Sequence, residues 1–319
     1  MAAATEFLCD PGERPKIGDI VWLTADDGVR LRAAVWPEGE FGTVLILPGR
    51  TEYVEKYGPT ARRLAERGYA TASIDWRGQG LSDRLAKDRH TGHVADFLDF
   101  QKDLDALIAL VKDRQELPKP FFLLAHSMGG AIGLRALLRE IPVMAAAFTG
   151  PLWGLQLPPL QRPFAKGLAD AARGLGLGAL PVPAGSRRSY VAEEPFEDNQ
   201  LTTDADEFAM MKRHIAAHPE LELGPPSFAW LATALREVRA FAEVSLPNIP
   251  TLVGVGTRER IVDPVAIRAV TDRWPSAAFM LLDGSEHEIL MEKPAIRHAF
   301  LEATLTLYED ARVANLPGT

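Results

Sequence analysis

Residues 121–138 read FFLLAHSMGGAIGLRALL. Four apolar residues lead to a serine, and an apolar pattern of helical spacing follows it. A serine at the junction of a buried strand and a helix sits on a sharp turn that lifts its hydroxyl above the sheet edge. Such a turn admits only small residues two places before and two places after the serine, here Ala125 and Gly129. The string is short, so its context carries the assignment: the strand before it and the Gly129-Gly130 helix start after it make Ser127 a nucleophile rather than a helix cap.

A serine hydroxyl needs a base to take its proton at neutral pH. Of the seven histidines, His126 adjoins the serine, but neighbouring side chains diverge on a tight turn, which directs it against the sheet. His90, His93, His214 and His218 lie in polar segments or in the helical insertion described below and read as surface residues. His287, in LLDGSEHEIL, follows the last strand after a Gly turn, which returns it to the sheet edge that carries Ser127. The base then needs a carboxylate to fix its tautomer. The loop after the preceding strand, GTRERIVDP, offers Glu259 and Asp263. Glu259 stands three residues beyond Gly256, where the chain leaves the strand, whereas Asp263 precedes Pro264 as a helix N-cap would. Glu259 is favoured, with Asp263 and Asp283 as alternatives. For the oxyanion, backbone N–H groups suit because their direction is already fixed. One falls on Met128, after the nucleophile; the other falls on Arg50 in the loop LPGRTEY, where Gly49 permits close backbone approach.

The elements that must position these groups are short aliphatic runs at 43–47, 69–75, 121–125, 143–148, 251–256 and 277–282, which read as strands buried on both faces. A hairpin signal at Asp26-Asp27-Gly28 separates two further strands, Ile20 to Leu23 and Val29 to Trp36. Helical patterns lie between the runs: Ala61, Leu64 and Ala65 closing at Gly68, then Leu104, Leu107 and Leu110, then Ile132 to Leu138. This alternation predicts an α/β fold, a mostly parallel eight-stranded sheet flanked by helices. Between the strand near residue 148 and the one at 251 no strand is evident. Two amphipathic helices stand there, one with Phe208, Met211 and Ile215 and one with Leu231, Leu235 and Val238. The expected organisation is a core domain of residues 1–150 and 246–319 with a helical cap over 151–245, since structureless loops of that length are rare. The glycines of DWRGQGLSD shape a turn, with Ser82 satisfying its backbone, and Asp96 anchors a helix start or the loop near Ser82.

Composition narrows the partners. With 319 residues, 47% hydrophobic and 24% charged, the chain can build one sizeable core. The net charge of -8 argues against nucleic acid and against docking by charge to an anionic membrane. A single cysteine, Cys9, and first residues without an apolar stretch predict a cytoplasmic protein. No apolar run approaches the roughly 18 residues that span a bilayer, so membrane contact is expected to be peripheral at most. The chemistry calls for no metal or organic cofactor, and the oligomeric state stays open.

Together the segments PGRTEYVEKY (48–57), DWRGQGLSD (75–83), GHVADFLDFQKDL (92–104), LLAHSMGG (123–130), NQLTTDADEF (199–208), GTRERIVDP (256–264) and GSEHEIL (284–290) resemble the α/β-hydrolase superfamily. Within it they are similar to the lysophospholipase L2 and monoacylglycerol lipase group, also called serine-aminopeptidase-like hydrolases. The resemblance puts the family's nucleophile on Ser127, its base on His287, its acid on Glu259 and its oxyanion donors on Arg50 and Met128. Three positions depart from the pattern: Pro48-Gly49 replaces His-Gly, Ala125 replaces Gly, and Glu259 replaces Asp. It implies a carboxylic ester hydrolase acting on a monoacyl lipid such as a lysophospholipid or monoacylglycerol. Tyr53, Trp153, Leu155, Phe164, Phe208, Met211 and Trp230 are the candidates to line its acyl site. Rival readings with the same fold are an aminopeptidase, for which Glu52 or Glu55 would hold the substrate amine, an acyltransferase, and a non-catalytic ligand-binding protein.

Overall fold

The apolar runs become strands. In the computed structural model, which describes residues 7–8, 18–156, 167, 171–183 and 187–315, they are β1 (Asp19–Thr24), β2 (Arg30–Trp36), β3 (Thr43–Leu47), β4 (Ala70–Asp75), β5 (Phe121–His126), β6 (Ala146–Thr149), β7 (Thr251–Gly256) and β8 (Ala277–Leu282). They form one eight-stranded sheet in the order β1-β2-β4-β3-β5-β6-β7-β8. The β1–β2 and β2–β4 pairs are antiparallel, and every pair from β4 through β8 is parallel. β6 starts later than its apolar run, because the Val143 N–H turns back onto the Ile141 carbonyl at 2.8 Å. The reading of AAFMLL as a doubly buried strand does not hold. β8 is an edge strand, and Leu281 remains 59% exposed.

Side-chain alternation along each strand divides the interior in two. Leu45, Leu47, Leu123, Phe148 and Val253 face one layer, which α2 (Phe100–Asp113), α3 (Met128–Leu137) and α6 (Pro264–Asp272) cover with residues such as Leu104, Leu134 and Ile267. Their neighbours Val44, Ile46, Leu124 and Leu252 face the other, closed by α1 (Gly58–Ala65) and α7 (Pro294–Ala314) through Leu64, Phe300 and Leu305. Tyr308 of α7 stacks on Phe122 with ring centroids 4.5 Å apart, and its hydroxyl donates to the Leu123 carbonyl at 2.6 Å.

The end of β4 is held by charge. Asp75 accepts from the Val54 N–H at 2.8 Å and the Leu81 N–H at 2.9 Å, and Arg32 of β2 lies between it and Glu55 with all three side chains fully buried. In the turn that follows, Gly78 and Gly80 have φ of 80° and 55°. A Cβ on Gly80 would stand 2.2 Å from the Asp75 carboxyl carbon, so the turn closes only on glycine. Ser82 donates to the Asp75 carbonyl at 2.5 Å, as expected of it.

Between β6 and β7 the described residues add no strand to the sheet and carry α4 (Ala205–Ala217) and α5 (Phe228–Phe241). Each helix opens on a side-chain cap: Asp204 accepts from the Asp206 N–H, and Ser227 accepts from the Trp230 N–H at 3.1 Å. Asp96 caps a short 3-10 turn through the Leu98 N–H and pairs with Arg236 of α5 at 2.6 Å. Ser82 instead serves Arg32 and Asp75.

Removing the buried guanidinium tests how far the β4 end depends on it. Arg32→Met leaves Glu55 and Asp75 without their counter-charge, so unfolding in urea should show a loss of about 3–5 kcal/mol. A change below about 1 kcal/mol would mean the pair contributes no more than an exposed ion pair.

Candidate active site

Ser127 occupies a turn that other residues seldom adopt. Its φ is 49° and ψ is -116°, a positive φ at a non-glycine residue between β5 and α3. The turn is held by the Ser127 N–H donating to the Thr149 carbonyl at 3.1 Å and by the Ser127 carbonyl accepting from Gly130 and Leu152, each at 2.9 Å. Behind it the chain passes backbone to backbone against the end of β3: a Cβ on Gly129 would lie 2.1 Å from the Leu47 carbonyl oxygen. Ala125 fits because its methyl faces Gly133, where an added Cβ would stand 3.4 Å away.

The expected oxyanion loop leaves β3 directly beside this turn. Trp76 Nε1 donates to the Pro48 carbonyl at 2.9 Å, Gln79 donates to the Gly49 carbonyl at 2.8 Å, and the Gly49 N–H donates to Glu52. Thr51, with φ of 69°, turns the chain out again. Met128 is the first residue of α3, where an amide has no intrahelical acceptor. Among the described residues nothing accepts from the Arg50 N–H either.

Glu259 and His287 meet. Glu259 Oε2 lies 2.7 Å from His287 Nδ1, while its Oε1 accepts from the Ile261 and Val262 N–H groups at 2.7 and 3.1 Å. Burial alone would lower the imidazole pKa, but the charge and hydrogen bond of Glu259 outweigh it and raise His287 above its ordinary 6.5. Burial likewise favours a protonated Glu259, and the attraction of His287 reverses that, leaving its pKa lowered. Asp263 instead caps α6, accepting from Val265 and Ala266 at 3.0 and 3.3 Å, and Asp283 accepts from the Thr257 hydroxyl at 3.2 Å. Gly150 makes room for the pair, since a Cβ there would reach 3.0 Å from His287 Nδ1 and 3.2 Å from Glu259 Oε2.

Ser127, His287, Met128 and Arg50 line one cavity of about 690 Å³, whose remaining wall comes largely from the 151–245 stretch. Trp230 and Leu155 line it, as expected of them. Tyr53, Trp153, Phe208 and Met211 do not. Trp153 is core, packed on Phe148 and Trp274 with its Nε1 donating to the Gly130 carbonyl at 3.1 Å. Phe208 packs on Phe196 in the second core, while Tyr53 and Met211 border a separate void of about 20 Å³. Phe164 lies outside the described residues. Residues without an expected role complete the wall: Val191, Leu201, Leu223, Phe228 and Ile261.

Two histidines also differ from expectation. His126 is bound to Thr149 through Nδ1 at 3.0–3.1 Å but also faces the cavity, its ring 4.7 Å from that of His287. Burial brings its pKa down to about 3, so it stays neutral. His214, read as a surface residue, is buried in α4.

Beneath the loop after β3 lies a charged cluster that the spacing of residues did not suggest. Lys56 donates to Glu52 at 2.6 Å and to Glu288, and Tyr57 donates to Glu52 at 2.5 Å. Burial would raise the Glu52 pKa, but the Lys56 ammonium holds it below the usual carboxylate range. Glu52, His126 and Glu288 bring potential ligand atoms within 4.8 Å of one another, and Lys56 already supplies the positive charge that a cation would bring. Glu55 serves Arg32 instead.

A titration of the histidine side chains followed by NMR should place His287 above 6.5. Glu259→Gln should bring it down, whereas Asp263→Ala should leave it in place and lower stability by about 1 kcal/mol through loss of the cap. A His287 that titrates alike in wild type and Glu259→Gln would contradict the coupling.

The family model described as serine aminopeptidase, S33, matches residues 39–294. Lysophospholipase L2 of Escherichia coli strain K12 is 32% identical over 280 residues, 83% of this chain and 79% of that protein. A probable lysophospholipase L2 of Haemophilus influenzae is 27% identical over 289 residues, 88% of this chain and 89% of its own. Among solved structures, a soluble variant of monoglyceride lipase from Saccharomyces cerevisiae in complex with a substrate analogue superposes with a TM-score of 0.73 at 17% identity, covering 94% of this chain and 98% of that one. Monoacylglycerol lipase of Paleococcus ferrophilus gives 0.69 at 22% identity, over 88% and 99%. The chain therefore belongs to the serine aminopeptidase S33 family of α/β-hydrolases.

Proposed function

We propose that the protein is a serine carboxylic ester hydrolase that works through an acyl-enzyme and takes monoacyl lipids as substrates. The observation that carries the reading is the His287–Glu259 pair, 2.7 Å apart, whose imidazole lies on the wall of a largely apolar cavity that Ser127 also lines. In the proposed cycle His287 takes the Ser127 proton as the oxygen attacks the ester carbonyl. The oxyanion rests on the N–H groups of Arg50 and Met128. His287 then protonates the leaving alcohol, and water enters against the acyl-enzyme by the same route. Glu259 holds the imidazole tautomer and stabilises its charged form. Residues 1–150 and 246–319 act as the core domain in this reading, and 151–245 as a cap that shapes the acyl site.

A single fatty chain suits a cavity of about 690 Å³. The names of the lysophospholipase and monoacylglycerol lipase relatives point to the same substrates. Peptide substrates are less well served, because an aminopeptidase needs a carboxylate free for the substrate amine. Glu52 faces the cavity but is already engaged by the Gly49 N–H, Tyr57 and Lys56.

A panel of short p-nitrophenyl esters, long-chain monoacylglycerol, lysophosphatidylcholine and aminoacyl anilides separates the readings. Wild type should prefer the lipids, Ser127→Ala should be inactive, and Glu259→Gln should lose on the order of 10⁴-fold in kcat. Full turnover by Ser127→Ala would end the acyl-enzyme scheme, and preference for the anilides would make the protein a peptidase.

A further inference from the structure

The scheme above uses only the N–H of Arg50 and leaves its guanidinium without a task. That guanidinium reaches toward the 151–245 stretch. Its Nη2 donates to the Gly224 carbonyl, and its carbon lies 5.5 Å from the Trp230 ring centroid. Gly92 leaves the space for it, since a Cβ there would stand 2.9 Å from Nη2 and 3.4 Å from Nε. The Nε itself is buried and has no hydrogen-bond partner among the described residues.

Other arginines with little exposure show how this half-buried one differs. Arg32 lies between the carboxylates of Glu55 and Asp75, and Arg77 between those of Asp27 and Asp103. Arg84 has no carboxylate and its Nε is likewise buried without a partner, but five backbone carbonyls accept from its two Nη atoms, at residues 78, 80, 89, 220 and 222. Arg50 has one carbonyl and, among the described residues, no carboxylate. Burial brings its pKa down to about 10, which still leaves it charged at neutral pH. A desolvated cation without a counter-charge is unfavourable, and groups of this kind concentrate at functional sites. The two carboxylates on the same cavity wall, Glu52 and Glu288, both pair with Lys56.

We infer that the Arg50 guanidinium receives the phosphodiester of a lysophospholipid on the alcohol side of the ester, so that the site favours a phosphorylated monoacyl lipid over a neutral monoacylglycerol. The inference rests on the monoacyl-lipid reading above. One residue then serves two parts of one substrate: its amide faces the reacting carbonyl, and its side chain faces the phosphate that lies a glycerol's length away. A planar guanidinium with a free Nε can take phosphate oxygens through two parallel hydrogen bonds, which an ammonium cannot do.

The test is a binding measurement on the full chain with ligands that cannot be hydrolysed. Hexyl glycerol ether and its phosphoglycerol diester, both short enough to stay monomeric, are titrated calorimetrically alongside inorganic phosphate. Wild type should prefer the diester. Arg50→Gln should lower the diester-to-ether affinity ratio tenfold or more, Arg50→Lys should recover part of it, and Gly92→Ala, which displaces the guanidinium, should lower it as well. Thermal melts confirm that each variant is folded. An affinity ratio that Arg50→Gln leaves unmoved overturns the inference, as does a wild type without preference. Inorganic phosphate binding as tightly as the diester also overturns it, by making the site one for free phosphate. Hydrolysis of long-chain monoacylglycerol and lysophosphatidylglycerol is measured separately. Failure of both lipids there removes the proposed function, while the affinity ratio still reports on Arg50.

Discussion

The passage of Gly129 against the carbonyl oxygens of Leu47 and Pro48 is the contact on which the site depends. An added Cβ would come within 2.1 Å of the first oxygen and 2.6 Å of the second. β3 and β5 are neighbouring parallel strands, so the chain leaves both at the same edge, and only a residue without a side chain lets the two exits touch. That closeness brings the Arg50 amide and the start of α3 to one cavity. It also explains why Ser127 can hold a φ of 49°: three hydrogen bonds and a packed backbone determine the turn more strongly than the local preference opposes it.

Around that contact the polar groups of the loops are used up by one another. The carbonyls of Pro48 and Gly49 point away from the cavity to Trp76 and Gln79, and the Gly49 N–H goes to Glu52. Glu52 is linked by Lys56 to Glu288, the residue next to His287. The loop after β3 and the loop after β8 therefore share one buried ammonium. A half-satisfied cluster of this kind would weaken the fold, but each of these carboxylates has a partner, and the cluster fixes the spacing between loops that are distant in sequence. In this chain the loop that begins Pro48-Gly49 is anchored through Trp76, Gln79 and Glu52.

The strands and the serine turn were legible because they follow from periodicity and from small residues at fixed offsets, as at Ala125 and Gly129. The carboxylate opposite His287 could be narrowed to a loop, and the distinction between Glu259 and Asp263 came from the Pro264 that marks a helix start. What escaped had no local signature. Trp76 and Gln79 read as parts of a glycine turn, because their partners are carbonyls of a segment some thirty residues away. Gly150, Lys56 and Glu288 looked ordinary for the same reason. The aromatic candidates failed differently: Trp153 and Phe208 have the type expected of an acyl site, but type does not tell whether a ring faces a cavity or a core.

The order of these parts along the chain has a consequence for synthesis. The sheet places β7 and β8 at one end, so residues 19–149 supply six of its strands, the serine turn and the loop of Arg50, all synthesised before Glu259 and His287. A nascent chain thus carries the Ser127 hydroxyl well before it carries the His287 imidazole. α7, with Phe300 and Tyr308, then seals the second core over the same strands. The pairing of His287 with Glu259 and the sealing of the second core therefore draw on the same late stretch of chain.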